Sequence, residues 1–285
     1  MTQAERIILT TRKKRKRQMI FKGISAFYAL LTTVLLIYMI VKVGFPIPAN
    51  TDSTNQLPTP TPEVGNSDEQ TDELLPDTID KNGKFVALTY DDGPSSYTSH
   101  LLDLLEEHNA KATFFIIGNR VEKYRDTIKR MDYLNMEISS HTFNHDVLTK
   151  LDKAGIQDTM NKTDEALMNI IGRGADLMRP VEGALDETSQ SFITKPIIRW
   201  NIDTLDWKTQ DAQAIVDHVL ANVTDGCVIL MHDIYPSTIE ASKILIPKLQ
   251  EMGYQLVTIP ELAEARGIEL KPGEIYRTFP KTENE

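Results

Sequence analysis

Three short stretches of this chain carry side chains that move protons or hold metals, at spacings such chemistry needs. Thr89 to Pro94 reads TYDDGP, so two carboxylates, Asp91 and Asp92, stand side by side. Like charges that close cost energy unless a cation or a proton separates their roles. As a bare pattern, Asp-Gly-Pro is also a good turn sequence. His141 to His145 reads HTFNH; two histidines four apart can converge on one metal, or can be surface residues of a loop. His232 ends the apolar run VILMHD, whereas His100, His108 and His218 fall on predicted helices and are expected to face solvent. A His-His-Asp set with an open position is what catalytic zinc favours: three protein ligands and a water whose pKa the metal lowers. Asp92, His141 and His145 could supply it, leaving Asp91 unligated as a base.

These stretches follow short apolar runs that must position them. Phe85 to Leu88, Ala112 to Ile117, Glu137 to Ser140, Leu177-Met178, Ile197 to Ile202, Val228 to Met231 and Gln255 to Ile259 read as strands. Between them, 97–108, 121–134, 153–171, 211–223, 238–252 and 260–266 read as helices. Strands of a few residues alternating with helices imply right-handed βαβ units and a parallel sheet. With about seven repeats the leading architecture is a (β/α) barrel; periodicity alone leaves a doubly wound open sheet as the alternative. In either form, chemistry collects at the carboxyl ends of the strands.

Composition narrows the class. Of 285 residues, 41% are hydrophobic and 25% charged, which excludes a disordered tail or a multispan membrane protein. The single cysteine, Cys227, excludes an intramolecular disulfide and a CxxC zinc or redox site, and its place before a buried strand makes it ordinary core. Any metal must be held by histidines and carboxylates. The net charge of -10 is unevenly spread: residues 1–22 carry eight Lys/Arg against one acid. Everything after Lys42 sums to about -18, a part that nucleic acid would repel.

The amino-terminal part predicts a location. Arg12 to Arg17 (RKKRKR) precedes a mostly apolar, uncharged run from Gly23 to Val41, long enough to span bilayer hydrocarbon. A nuclear-targeting patch is the competing reading of the basic block, but beside a spanning segment it fits a cytoplasmic flank. A cleaved signal peptide, with Ala49 before the cut, would have a shorter apolar core. The expected organisation is therefore a cytoplasmic basic segment (1–22), an uncleaved transmembrane signal anchor (23–41), a Pro- and acid-rich disordered stalk (42–80) and an extracytoplasmic domain (81–285). A catalytic domain held close to the outer face of a single-pass anchor would suit a Gram-positive bacterium.

TYDDGP, HTFNH, Arg179-Pro180, DTLDW (Asp203 to Trp207) and LMH (Leu230 to His232) resemble, in order and spacing, the motifs of the polysaccharide deacetylases of carbohydrate esterase family 4, the NodB homology domain. The resemblance spans about Lys84 to Arg266 and is similar to that of membrane-anchored peptidoglycan N-acetylglucosamine deacetylases. It implies a distorted (β/α) barrel and metal-dependent removal of acetyl groups from a cell-wall glycan. By position, it implies that Asp92, His141 and His145 bind zinc, or another divalent ion such as cobalt, with Asp91 as base and His232 as acid. Arg179 would pair with the base and Asp206 would orient and tune His232. Trp207 and Leu230 would form the apolar pocket for the acetyl methyl group.

One motif departs from the family's pattern. Where the family usually has Arg-Pro-Pro-Tyr-Gly, this chain has Arg179-Pro180-Val181-Glu182-Gly183. Glu182 keeps the backbone N–H but places a carboxylate where an aromatic groove wall is expected. The expectation is an altered groove and a specialised substrate, such as the unit joining a wall polysaccharide to peptidoglycan. Drift in a loop is the bland alternative. Tyr90 for Phe and Asp146 for Pro are milder departures. The rival functional readings are a catalytically impaired wall-binding protein on the same fold, and an O-acetyl esterase.

Overall fold

The computed structural model describes residues 79–281. The basic segment, the apolar run Gly23 to Val41 and nearly all of the expected stalk lie outside them. Among the described residues no helix is long and apolar enough to cross a membrane.

The expected alternation of strand and helix is present. In chain order the elements are β1 (Lys84–Asp91), α1 (Thr98–Glu107), β2 (Thr113–Ile116), α2 (Arg125–Tyr133), β3 (Glu137–Ser140), α3 (Lys153–Ile171), α4 (Glu187–Gln190), β4 (Ile197–Ile198), β5 (Ile202–Asp203), α5 (Asp206–Thr209), α6 (Ala212–Asn222), β6 (Cys227–His232), α7 (Pro236–Glu251), β7 (Tyr254–Leu256), α8 (Ile259–Ala265) and β8 (Ile275–Tyr276). Several helices start where the sequence offers acceptors for their first N–H groups: Asp152 for α3, Asp211 for α6, and a Thr258/Glu261 capping box for α8.

All strand pairs are parallel. One sheet runs β3-β2-β1-β6-β5, with β7 also on β1, and β4 pairs with β8. Single bridges, Ser140 to Met178 and Met178 to Ile197, link β3 to β4; the chain then enters β5, which pairs with β6. Strand neighbours therefore follow one another around a ring, with one irregular side. Because both faces are covered, β1 reads as a continuous apolar run. Val86, Leu88 and Tyr90 pack outward against α1, α6 and α7, while Phe85 and Ala87 face the ring interior with Phe115, Ile198 and Val228. Thr89 and Asp91 continue that inner column.

Two expected strands are shortened for visible reasons. The single strand expected over Ile197 to Ile202 is broken into β4 and β5, because the Asn201 side chain enters the ladder: its Oδ1 accepts from Val228 N at 2.7 Å. Leu177-Met178 is reduced to bridges at Met178. At the carboxyl terminus the chain wraps the domain: Phe279 is buried in the inner cluster and Thr278 bridges Cys227. Gly226, at φ +83, permits this closure, since a Cβ there would sit 2.0 Å from the Phe279 carbonyl oxygen. Cys227 is buried and free.

Candidate active site

The carboxyl ends of β1, β3 and β6 bring the motif residues together. Register places Asp91 directly opposite His232 across the β1–β6 pair. His141 immediately follows β3, and its N–H bonds Ile116 O at the end of β2 at 2.8 Å. The loops that carry these groups hold non-glycine residues in left-handed backbone: Asp92 (φ 70), Thr142 (φ 68), His145 (φ 62), Glu182 (φ 57) and Leu205 (φ 55). Such conformations cost energy and persist only where the surroundings impose them.

The adjacent carboxylates face different partners. Asp91 is buried, and its Oδ1 accepts from Arg179 Nη1 at 2.7 Å. Arg179 is wholly buried; its remaining N–H groups go to Thr89 Oγ1 (2.7 Å), Ile198 O (3.1 Å) and Arg199 O (3.2 Å), and its guanidinium lies 4.1 Å from the Phe115 ring centroid. Asp92 instead faces histidines: its Oδ1 is 3.1 Å from His145 Nε2 and 3.6 Å from His141 Nε2. One ligand atom from each of Asp92, His141 and His145 lies within 4.8 Å of the others.

Three features of this triad fit a divalent cation. His141 Nδ1 lies 2.8 Å from Arg179 O and can only donate to it, which leaves the Nε2 lone pair of a neutral ring aimed at Asp92. Asp92 Oδ1 is buried and has no hydrogen-bond partner among the described residues, the His145 nitrogen being close but out of line. Burial holds the His141 pKa below its ordinary value, as a neutral ligand requires. Burial opposes the Asp92 charge as well, but the facing histidines prevail and pull that carboxyl down to about 2. The carboxylate in turn raises His145.

His232 is held differently. Its Nδ1 is 2.7 Å from Asp206 Oδ1, and Asp206, fully buried, also accepts from Trp207 N, His232 N and Thr238 Oγ1. The bond to Asp206 fixes Nδ1–H, leaving Nε2 as the exchangeable position. Burial disfavours the imidazolium, yet Asp206, and after it Asp91 and Asp92, lift the His232 pKa to about 9.

The remaining expected residues fall nearby. Leu230 is buried on β6, two residues before His232 on the same face. Trp207 is 48% exposed at the start of α5. Glu182 is exposed, and its charge acts on His145. Asp146 ties its loop to α3, accepting from Thr159 Oγ1 at 2.7 Å. His100 and His218 are exposed on helices, as expected, whereas His108 sits half-buried at the end of α1. Two supports went unassigned: Thr89, which opens the TYDDGP motif two residues before Asp91 on the same strand face and accepts from Arg179, and Thr238, which supports Asp206 from outside the short patterns. Also unassigned was Asp233, a buried carboxylate bonded by Thr98 Oγ1, whose burial raises its pKa to about 7.

Comparisons with known proteins agree with this geometry. The family model for polysaccharide deacetylase matches residues 78–195. The peptidoglycan-N-acetylmuramic acid deacetylase PdaC of Bacillus subtilis is 37% identical over 191 residues, 67% of this chain and 41% of that protein. Its solved structure superimposes with a TM-score of 0.65 at 36% identity, covering 66% of this chain and 94% of that one. A family 4 acetyl xylan esterase from Clostridium thermocellum, solved with a cobalt ion, gives 0.66 at 30% identity, covering 69% of this chain and all of that one. This chain spans about two fifths of the length of PdaC and of the Listeria monocytogenes deacetylase PgdA, 41% and 43%. It covers 90% of a peptidoglycan-N-acetylglucosamine deacetylase of Bacillus cereus, at 32% identity over 203 residues. With its strands, its carboxylate pair and its histidines arranged as described, the chain belongs to the polysaccharide deacetylase family.

Proposed function

We propose that this chain is a metal-dependent hydrolase that removes N-acetyl groups from N-acetylglucosamine residues of a cell-wall glycan, peptidoglycan or the linkage unit of a wall polysaccharide attached to it. The observation that carries this reading is the division of labour between Asp91, paired with Arg179, and Asp92, turned towards two histidines. Asp92, His141 and His145 would hold zinc or another divalent ion. Such an ion supplies Lewis-acid polarisation of a carbonyl and makes a water more acidic.

The chain's own groups perform the proton transfers. Arg179 occupies Asp91 Oδ1, so Oδ2 is the oxygen that takes a proton from the attacking water. His232 then gives its Nε2 proton to the departing sugar amine, because an amide nitrogen leaves poorly as an anion. Asp206 steadies the imidazolium before that transfer. Acetate and a free amine result. Leu230 and the exposed Trp207 would receive the methyl group.

Similarity to proteins named for peptidoglycan substrates supports the glycan assignment. The basic block and apolar run of residues 12–41 support a single-pass anchor with the catalytic domain outside the cell membrane. The test is acetate release from N-acetylglucosamine oligomers and from isolated cell wall by metal-stripped protein returned to zinc. Release should require zinc and fall at least about 100-fold in Asp91→Asn. Zinc-independent release, or full activity in Asp91→Asn, refutes the mechanism.

A further inference from the structure

At the carboxyl end of the β4–β8 pair, two arginines stand side by side. The register sets Ile197 opposite Ile275 and Ile198 opposite Tyr276, so the next residues along the parallel strands are Arg199 and Arg277. Like charges across a strand pair repel. No carboxylate of the described residues forms an ion pair with either arginine, and the charge felt by Arg199 is that of Arg277. Arg199 Nε is cut off from water without a hydrogen-bond partner among the described residues. Burial, and then Arg277, hold the Arg199 pKa below its ordinary value. An uncompensated cationic pair is conspicuous where the rest of the sequence beyond Lys42 is strongly acidic.

The pair adjoins the catalytic centre. The Arg199 carbonyl accepts from Arg179 Nη2 at 3.2 Å, and Arg179 holds Asp91. The Arg199 guanidinium and the Trp200 ring flank Gly183: a Cβ there would meet Arg199 Nη2 at 2.8 Å and Trp200 at 3.0 Å. One residue earlier on the same turn, Glu182 acts on His145. The Val181–Gly183 turn thus acts on His145 through the Glu182 charge and meets Arg199 at the next residue.

Building on the deacetylase reading, we propose that Arg199 and Arg277, with Trp200 beside them, form a subsite for an anionic group, a carboxylate or a phosphate, carried on the glycan near the acetylated sugar. Guanidinium groups match both anions through paired N–H donors, and an anion lying between the two arginines removes their repulsion. The Trp200 indole packs against the inner cluster and is half-buried; its exposed part would lie against the adjoining sugar ring.

The test uses the zinc-loaded chain and four glycans: neutral N-acetylglucosamine oligomers, oligomers alternating with N-acetylmuramic acid, the methyl ester of the latter, and oligomers bearing a phosphate ester. The wild type should show a lower KM for a charged oligomer than for its neutral counterpart, and the carboxylate and phosphate arms identify which anion is preferred. Arg199→Gln and Arg277→Gln should each raise KM for that charged oligomer about tenfold with kcat held. Both should leave the neutral and esterified oligomers unchanged. Equal losses on all glycans, or no gain from charge in the wild type, overturn the subsite while leaving the deacetylase reading intact. If no glycan releases acetate, that reading fails, and the subsite is decided by binding at the Trp200 indole N–H resonance. A shift with a charged oligomer that Arg199→Gln abolishes supports the subsite; no shift, or an equal shift in the variant, overturns it.

Discussion

The helix-packed outer layer and the catalytic face are built from the same strands under opposite rules. In the outer layer, Leu101, Leu102 and Leu105 of α1 and Ile215, Val216 and Val219 of α6 are fully buried at helical spacing against Leu88, Ile229 and Met231. Helices there begin at Asp152 and Asp211, which cap them. The catalytic face holds Asp91, Arg179, Asp206 and Asp233 out of water, and bends Asp92, Thr142, His145, Glu182 and Leu205 into left-handed backbone. It also leaves Asp92 Oδ1 and Asp233 Oδ1 unpartnered among the described residues. The difference shows where folding energy comes from and where it is spent: local preferences, packing and capping agree in the outer layer and conflict at the site.

The strongest way to break that contrast is to damage the outer layer alone. Leu101→Ala removes a fully buried side chain facing away from the triad, and should cost about 2–5 kcal/mol of stability. Acetate release per folded molecule should not change. Denaturant unfolding with an active-site-normalised assay reads both quantities. A loss of kcat at undiminished stability would mean that the two regions are not separable.

The same contrast explains what was legible in the sequence. The chemistry-bearing groups were, because their motifs sit at strand ends and the loops that follow: TYDDGP closes β1 and runs into its loop, and HTFNH follows β3. The helices were legible because their burial repeats every three or four residues. The break between β4 and β5 was not, since it depends on Asn201 reaching Val228 across strands. Nor was β8, a two-residue strand whose pairing with β4 depends on the chain wrapping back after Gly267. The left-handed sites were also hidden: threonine, histidine, glutamate and leucine do not announce positive φ, and only the assembled loops impose it. Thr238 bonds Asp206 from the first turn of α7, a support that local spacing does not reveal.

A smaller effect sharpens the reading of Asp92 as a group held for a cation. With zinc at about 100 times its Kd, the wild type should gain about 2.7 kcal/mol of stability, seen as a rise in Tm. Asp92→Asn should lose most of that gain. Asparagine tolerates the left-handed backbone at this position, but it loses the attraction of the facing histidines that pulls the Asp92 carboxyl down to about 2, so without zinc the variant should be somewhat less stable than the wild type. A variant that keeps the whole zinc-dependent rise in Tm would show that Asp92 does not hold the cation.

The smallest effect is the titration of one ring. The His232 pKa of about 9 lies above the ordinary 6.5, so the Asp206 contact adds stability that is fully present below about pH 6.5. That stability is lost as pH rises through about 9. In metal-free protein, the imidazole carbon resonances of His232 should reach their midpoint near pH 9. Asp206→Asn removes the charge bonded to Nδ1 and leaves burial, which opposes the imidazolium, so the midpoint should fall by more than one pH unit. The alkaline limb of acetate release should move to lower pH by the same amount, and the optimum should fall with it. An unmoved midpoint would show that Asp206 only orients the ring. The proton for the leaving amine would then depend on Asp91 and Asp92, placing the tuning of the acid in the same cluster as the base.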